Sequence, residues 1–321
     1  MAQTRPPSEI VIVDASAEWE RNAQRIREIV AGRTRLAVAE ARLPSSSEQR
    51  NQALDMAEAD IVFMIDDDSF MYPDCAERIM SVYDADVERG LVGVQATLSR
   101  TMPGQAELDV KRGEGTSAAK VNLWKYDAIW RSVLLMGSEQ IFLPYGNSYP
   151  DRPVPATLDR YPVRRERLFH GARMTFRRAE IASVRFDSLL RYYAPFEDLD
   201  ASHRMSRQGA LVTVENAYLY HHMTETNRLQ RFRVTWLSML NQAVLLKRHA
   251  DDPAVAKRRY YTLMARRILA EFLKDTMTRR FGFPQCRGAL HALRDARKVF
   301  SISMSDLEAW YPDHQAKILK S

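Results

Sequence analysis

The chain has 321 residues, of which 45% are hydrophobic and 27% are charged, and its formal net charge at pH 7 is +6. This is the composition of an ordinary globular protein, long enough for one large domain or two. Its two cysteines are too few for a disulfide framework, and no apolar run reaches the length of a membrane-spanning helix. These features exclude a disulfide-rich secreted scaffold and an integral membrane protein, and they predict a cytoplasmic location.

The first hundred residues alternate predicted strands with predicted helices. Apolar runs predict four strands, at residues 9–13, 36–39, 60–65 and 91–96. Helical spacing of apolar residues predicts three helices between them, over residues 17–31, up to 56 and from 73 onward. The second helix follows a sequence that resembles a capping box, from Ser45 to Glu48. Strands that alternate with helices imply βαβ units and therefore an α/β fold with a parallel sheet.

The rest of the chain divides into an irregular segment, a regular segment and a helical region. Residues 101–165 carry Gly, Pro and polar clusters around one predicted helix near Trp124. Regular elements then return as a strand, a helix and a strand, predicted at 171–176, 197–207 and 211–214. Beyond His222 the apolar residues recur only at helical spacing. We therefore expect an α/β domain over residues 1–222 and an α-helical region over residues 223–321.

The predicted helical region is strongly basic. Between Met223 and Phe300 there are 17 Lys and Arg against 6 Asp and Glu, a net charge of +11, and the remainder of the chain carries about −5. This asymmetry predicts a polyanionic partner: an anionic membrane surface, a phosphorylated substrate or nucleic acid. No nucleic-acid-binding motif accompanies the charge, so nucleic acid is not expected as a partner. Six arginines either face anionic lipid headgroups at the inner face of a membrane or lie in water on packed helices: Arg258, Arg259, Arg266, Arg267, Arg279 and Arg280.

The third predicted strand, Asp60–Ile65, ends in the three carboxylates of Asp66, Asp67 and Asp68. Its apolar residues predict a strand buried on both faces of a parallel sheet, and ligands bind at the carboxyl ends of such strands. Adjacent carboxylates repel one another unless a cation offsets them, and oxygen-rich clusters suit Mg²⁺ or Mn²⁺. Taken alone, the cluster indicates either a metal site that attracts a diphosphate or an acidic loop that only ends a strand.

The ordered set of motifs resembles the family 2 glycosyltransferases of the GT-A fold. In chain order the matching segments are the strand that ends at Asp14, the Arg50–Leu54 segment, the Asp66–Asp68 cluster, the Gly171–Arg178 segment and the Phe196–Gly209 segment. The resemblance covers about residues 3–222, and only the whole ordered set is specific. It implies a Rossmann-like mixed sheet and the transfer of a sugar from a nucleotide-sugar donor, with Mg²⁺ or Mn²⁺, to a saccharide or lipid-linked acceptor.

The resemblance also implies a role for individual residues. The residues that would contact the nucleotide-sugar are Asp14, Arg50, Asn51, Asp66 and Asp67. The metal ligands would be Asp66, Asp68 and one histidine of the pair His221 and His222, with His222 assigned. Each assignment has a structural alternative: carboxylates that end a strand, an arginine on a helix surface, or histidines packed beside aromatic rings.

The Glu197-Asp198 pair matches the acidic segment that supplies the catalytic base in this family. A hydroxyl acceptor has a high pKa and needs a positioned base, and the resemblance assigns that role to Asp198. Glu197 would orient the acceptor, and the reaction would be a single in-line displacement with inversion. The structural alternative is that both residues are favourable charges in the first turn of a helix.

The start of the chain departs from the family pattern. The family domain begins with a strand of the Pro-Thr-x-Asn type and a helix, whereas residues 2–7 resemble the linker that follows them. We expect this first strand and helix to be absent, which would leave unpaired edges in the middle of the sheet. A shortened reading frame would explain the difference, and a fragment without activity is the alternative.

Two other classes of function compete with glycosyl transfer. The haloacid-dehalogenase-like phosphatases also have an apolar strand that ends in Asp-x-Asp. That family has Thr or Val two residues after the second Asp, where this chain has Phe70, and its later Lys-bearing motif is not found. A protein that binds a nucleotide-sugar without turnover is the third class. The sugar, the nucleotide and the acceptor are not identified by the sequence.

Overall fold

The computed structural model describes residues 3–104, 134, 136–222 and 230–320, and the predicted helix near Trp124 lies outside these residues. They form two compact units. The first, called the sheet unit here, comprises the described residues of 3–104, 150–188 and 197–222. The second, called the helical unit, comprises the described residues of 134–149, 189–196 and 230–320.

The predicted strands and helices of the sheet unit are confirmed to within a few residues, except at the end of the last strand. The strands are β1 (Glu9–Asp14), β2 (Arg35–Glu40), β3 (Ile61–Ile65), β4 (Ser69–Met71), β5 (Leu91–Ser99), β6 (Val163–Glu166), β7 (Arg173–Arg177) and β8 (Ala210–His221). The helices, numbered with the short α4 (Ser138–Ile141) of the helical unit, are α1 (Trp19–Val30), α2 (Ser46–Met56), α3 (Cys75–Ala85), α5 (Arg178–Val184) and α6 (Glu197–Ser206). Strands β4 and β6 have only three and four residues, too few for a periodic signal, and were not predicted.

The strands form two sheets, and the larger one is mixed. Strands β1 and β2 pair in parallel as one sheet, and the other has the order β3-β7-β5-β8-β4 with β6 also on β8. Strand β7 enters antiparallel to both β3 and β5, whereas β5 and β8 are parallel. The prediction of a parallel sheet was therefore wrong, and the mixed sheet implied by the family resemblance is confirmed. The alternation of strands and helices in the first hundred residues predicts only the strands of that segment. It cannot predict that β7, which begins at Arg173, inserts between β3 and β5.

Strand β3 is an edge strand among the described residues. Within the described part of the chain it pairs with β7 alone. Its side chains are half-buried and Ile65 is 41% exposed, so the prediction of burial on both faces was wrong. No backbone ladder joins β3 to β1 within the part of the chain that the structure describes. The carboxylate of Glu9 instead accepts hydrogen bonds of 2.7 Å from the backbone N–H groups of Glu58 and Ala59.

The larger sheet separates two apolar layers. Ile79 and Val82 of α3 pack on one face with residues of β5 and β8. On the other face, residues of α2, α5 and α6 pack against β7, where Met174 and Phe176 are fully buried. Layers on both faces hold the carboxyl ends of the strands in a rigid arrangement, which is what a site built from several elements requires.

The helical unit has its long helices within residues 230–320, and the predicted domain boundary after His222 stays a prediction. Its long helices are α7 (Arg231–His249), α8 (Pro253–Met277), α9 (Pro284–Ser301) and α10 (Met304–Lys320). Helix α9 packs closely on α7 at Gly288. A Cβ at this position would lie only 2.5 Å from the carbonyl oxygen of Phe232, so the absence of a side chain permits the close approach. None of the helices in the described residues is both long enough and apolar enough to cross a bilayer.

Candidate active site

The acidic turn follows β3 directly. The backbone N–H of Ser69 donates to the carbonyl of Asp66 across 3.0 Å and closes the turn, and β4 begins at Ser69. Strand β4 pairs with the end of β8 so that Ser69 lies opposite His221. This short pairing places His221 Nε2 2.9 Å from Asp68 Oδ1 and 3.9 Å from Asp66 Oδ2.

Two carboxylates and one imidazole thus converge beside β3. One oxygen each from Asp66 and Asp68 and one ring nitrogen of His221 lie within 4.8 Å of one another, and all three side chains are half-buried. Oxygen and imidazole donors at this separation fit a divalent cation. The structure places His221 in this group rather than His222, which the sequence assigned. The ring of His222 lies beside Tyr220, and only its backbone N–H reaches Asp68, at the carbonyl oxygen.

Arg50 lies between the acidic turn and the start of α6. Its Nη2 is 3.0 Å from Asp66 Oδ1, and its Nη1 donates to Glu197. Burial lowers the pKa of Arg50, but the negative charges of Glu197, Asp66 and Asp198 raise it by more, so the guanidinium remains charged. Arg50 therefore offsets part of the repulsion among the carboxylates of the site.

Glu197 is buried, and both oxygens of its carboxylate accept hydrogen bonds from residues of α2 in the sheet unit. Its carboxylate accepts hydrogen bonds of 2.9 Å from the hydroxyls of Ser46 and Ser47, in addition to the bond from Arg50. The first turn of α2 is thereby tied to the first turn of α6. Ser45, where the sequence resembles a capping box, makes no side-chain capping bond to α2.

Asp198 is half-buried, unlike Glu197, and lies beside the acidic turn. Its Oδ2 accepts a hydrogen bond of 2.8 Å from the backbone N–H of Gly171, the residue two before β7. Strand β7 begins opposite Ile65, the last residue of β3, so Gly171 lies next to the turn that follows β3. A Cβ on Gly171 would lie 3.6 Å from Asp198 Oδ2 and 3.4 Å from Arg50 Nη2, which shows how closely these groups meet.

The backbone before α6 is strained. Tyr192 and Phe196 have φ angles of +61° and +79°, in the left-handed region that residues with a Cβ rarely adopt. Such conformations cost about 1–3 kcal/mol each and persist where the surrounding structure imposes them, often at functional sites. Glu197 and Asp198 follow in the first turn of α6, where the helix dipole stabilises their negative charge.

Asp14 ends β1 with a fixed carboxylate. Its oxygens accept hydrogen bonds from the backbone N–H of Ser16 at 2.7 Å and from the amide of Asn22 at 2.9 Å. Burial raises the pKa of Asp14, but these hydrogen bonds lower it by more, so the pKa lies below its ordinary value. Asp67 is exposed in the acidic turn. The predicted contacts of both residues with a nucleotide stay predictions.

Asn51 has its side-chain amide engaged inside the sheet unit. It donates to the carbonyl of Phe186 across 2.9 Å and accepts from the backbone N–H of the same residue across 3.0 Å. The side chain is buried, so this pair of bonds satisfies two buried backbone groups. The contact of Asn51 with the nucleotide stays a prediction, and the structure shows that the residue also holds α2 on the segment after α5.

We expect Asn51→Ala to lower the free energy of unfolding by about 2 kcal/mol, because two buried backbone groups lose their partners. Urea unfolding monitored by circular dichroism measures this loss. The control is Asp55→Ala, which removes exposed ion pairs with Arg185 and Arg42 and should cost less than about 1 kcal/mol. Equal stability of the two variants would show that the Phe186 contact contributes little.

The chain resembles known proteins in part of its sequence and in its fold. Residues 1–100 match the family model described as Glycosyl transferase family 2. The fold resembles S. aureus TarS 1-349 in complex with UDP-GlcNAc, at 15% identity and a TM-score of 0.50, over 99% of this chain and 82% of that chain. The mannosyltransferase PcManGT from Pyrobaculum calidifontis, in complex with GDP-Man and Mn²⁺, matches at 14% identity and a TM-score of 0.48, over 100% of this chain and 74% of that chain. No curated protein matches in sequence.

The family model confirms the resemblance to family 2 glycosyltransferases over the first hundred residues, and the structural match confirms the fold class. Of the two findings, only the family match bears on activity, and over residues 1–100 it points to a glycosyltransferase.

Proposed function

We propose that this chain transfers a sugar from a nucleotide-sugar donor to an acceptor hydroxyl, with inversion and with a divalent cation. The observation that carries the proposal is the cluster of Asp66, Asp68 and His221 beside β3, with the carboxylate of Asp198 close by. Asp198 is half-buried and accepts a hydrogen bond from Gly171, which lies next to the acidic turn. Metal ligands and a base on neighbouring elements are the two groups that such a transfer needs.

Asp66, Asp68 and His221 would hold the cation. Mg²⁺ prefers oxygen ligands alone, whereas an imidazole nitrogen suits transition metals, so this donor set favours Mn²⁺ over Mg²⁺. A bound divalent cation would supply Lewis-acid stabilisation of the leaving diphosphate. Asp14, at the end of β1, has an ionised carboxylate suited to accept a hydrogen bond from the nucleoside.

Asp198 would act as the base. Its Oδ2 accepts a hydrogen bond from the N–H of Gly171 and its Oδ1 one from the N–H of Leu199, and the side chain is half-buried rather than closed off from solvent. It takes the proton of the acceptor hydroxyl as the acceptor oxygen bonds to the anomeric carbon and the bond to the diphosphate oxygen breaks. A single displacement of this kind inverts the anomeric configuration. Within the proposal, Glu197 positions Arg50 and α2 rather than the acceptor, because its carboxylate is already occupied.

The product separates this function from its competitors. The chain is incubated with Mn²⁺, a panel of nucleotide-sugars that includes UDP-GlcNAc, and saccharide and lipid-linked acceptors, and the released species is identified by chromatography. A glycosyltransferase releases nucleoside diphosphate, a phosphatase releases inorganic phosphate, and a binding protein releases neither. Release of phosphate alone would contradict the proposal. Donor binding without release would support the non-catalytic alternative.

We expect Asp68→Asn to weaken Mn²⁺-dependent binding of nucleoside diphosphate by at least about tenfold, a loss of about 1.4 kcal/mol, because a charged ligand is removed. Isothermal titration calorimetry with and without Mn²⁺ measures this. The control is Asp60→Asn, at the opposite end of β3, where the side chain is exposed. Unchanged affinity in Asp68→Asn would exclude Asp68 from the metal site.

A further inference from the structure

The helical unit exposes an apolar surface on the C-terminal half of α8 and the turn that follows it. Spacings of three and four residues place these side chains on one side of the helix. This surface, called the α8 apolar face here, consists of Leu269 (54% exposed), Phe272 (44%), Leu273 (37%), Met277 (52%) and Phe281 (69%). Single exposed apolar residues are ordinary, but five neighbouring ones indicate an interaction surface.

The acidic side chains within the stretch of chain that forms the α8 apolar face are buried, and its basic ones are mostly not. The two acidic residues between residues 264 and 290, Glu271 and Asp275, are 4% and 0% exposed. Asp275 accepts hydrogen bonds from the first backbone N–H groups of α9, and Glu271 accepts one from Gln285. The basic residues of the same stretch are exposed or half-buried: Arg266, Lys274, Arg279, Arg280 and Arg287, besides the buried Arg267. The surface therefore presents apolar side chains bordered by positive charge.

We propose that the α8 apolar face docks on a bilayer surface that contains anionic lipid. A helix that lies in the interface of a membrane combines an apolar face with flanking Lys and Arg, and this surface has both. The apolar side chains enter the boundary between headgroups and acyl chains, and the flanking cations contact phosphates. For the acceptor, this implies a lipid-linked saccharide, a consequence that rests on the proposed glycosyl transfer.

The structure also revises which arginines face the lipid. Arg267 is buried within the helical unit. Arg259 donates to the carbonyls of Pro144 and Gly146, and Arg266 donates to the carbonyl of Gln140. These three side chains support the packing of the helical unit, so the basic residues available for headgroups beside the apolar face are centred on Arg279 and Arg280.

Co-sedimentation with vesicles tests the proposal without any measurement of activity. The full chain is mixed with phosphatidylcholine vesicles, with or without phosphatidylglycerol, at low and physiological salt. We expect sedimentation only with phosphatidylglycerol, and less of it as salt rises. The double variant Leu269→Ser/Phe281→Ser should weaken binding by at least about tenfold, and Arg279→Gln/Arg280→Gln by several-fold.

The control is Val87→Ser, which removes an apolar side chain that is 75% exposed on the sheet unit and should leave binding unchanged. Circular dichroism confirms that each variant folds. Equal sedimentation with neutral vesicles, or none with anionic ones, would overturn the proposal. So would a dimer in solution, measured by light scattering, that Leu269→Ser/Phe281→Ser dissociates, because the occupant of the face would then be a second copy. If the vesicle experiment contradicts membrane docking, the release of nucleoside diphosphate is unaffected. The two proposals are therefore tested by independent measurements.

Discussion

Asp198→Asn is expected to lower turnover by about 10²–10⁴-fold while donor affinity stays within about twofold of the unchanged chain. The amide keeps the size of the side chain, and its oxygen can still accept the hydrogen bond from Gly171, while the bond from the N–H of Leu199 to the second oxygen is lost. It cannot take a proton from an acceptor hydroxyl. The loss should therefore appear in kcat and kcat/KM together, which marks an interaction made only in the transition state.

A substitution of the neighbouring residue Glu197 should have a different effect from Asp198→Asn. Glu197→Gln removes the charge that pairs with Arg50 inside the sheet unit. We expect this variant to lose stability and donor affinity together, because Arg50 and α2 lose their anchor. Steady-state kinetics with each variant, calorimetry with nucleoside diphosphate and a thermal unfolding curve separate the two outcomes. Near-normal turnover in Asp198→Asn would contradict the assignment of Asp198 as the base.

Asp86→Ala is expected to lower the free energy of unfolding by about 3–5 kcal/mol, the cost of leaving a buried charge without its partner. Asp86 follows α3 and is fully buried, and its Oδ2 lies 2.8 Å from Arg177 Nη2 at the end of β7. The same carboxylate accepts hydrogen bonds from the backbone N–H groups of Gly90 and Leu91. Truncation therefore removes three hydrogen bonds and isolates a cation whose side chain is only 8% exposed.

Urea unfolding of the full chain measures this loss. The control is Asp84→Ala, two residues earlier, which breaks an exposed ion pair with Arg5 and should cost less than about 1 kcal/mol. If Asp86→Ala does not fold, Asp86→Asn replaces it, because the amide oxygen can still accept from the loop before β5 while the charge is lost. If either Asp86 variant lowers the free energy of unfolding by less than about 1 kcal/mol, the prediction is contradicted. Water would then solvate Arg177 once its ion pair with Asp86 is lost.

Sequence reasoning located the elements that carry their own local signal. The apolar runs of β1, β3 and β5 and the helical spacing of α7, α8 and α9 depend on residues close in the chain, so periodicity revealed them. The acidic residues at the end of β3 and at the start of α6 were identified as site candidates for the same reason. Both lie at the termini of regular elements, where side chains are presented to ligands or helix dipoles.

Pairings between distant segments were not accessible in this way. Strand β7 joins β3 and β5 from more than 70 residues away and makes the sheet mixed, and β4 is too short to predict from its three residues. That short strand decides which histidine faces the acidic turn. In a strand successive side chains point to opposite faces, so its pairing with β8 selects His221 over His222.

The sequence by itself determined the order of strands and helices, the position of the carboxylates and the basic character of the C-terminal helices, because each depends on local composition and periodicity. Only the tertiary structure decided that Glu197 is occupied by Ser46, Ser47 and Arg50 while Asp198 keeps solvent access. It likewise decided that the acidic residues of α8 are buried, whereas Leu269, Phe272, Leu273 and Met277 of the same helix are exposed. These features depend on which side of each element meets another part of the fold, and packing between distant segments sets that.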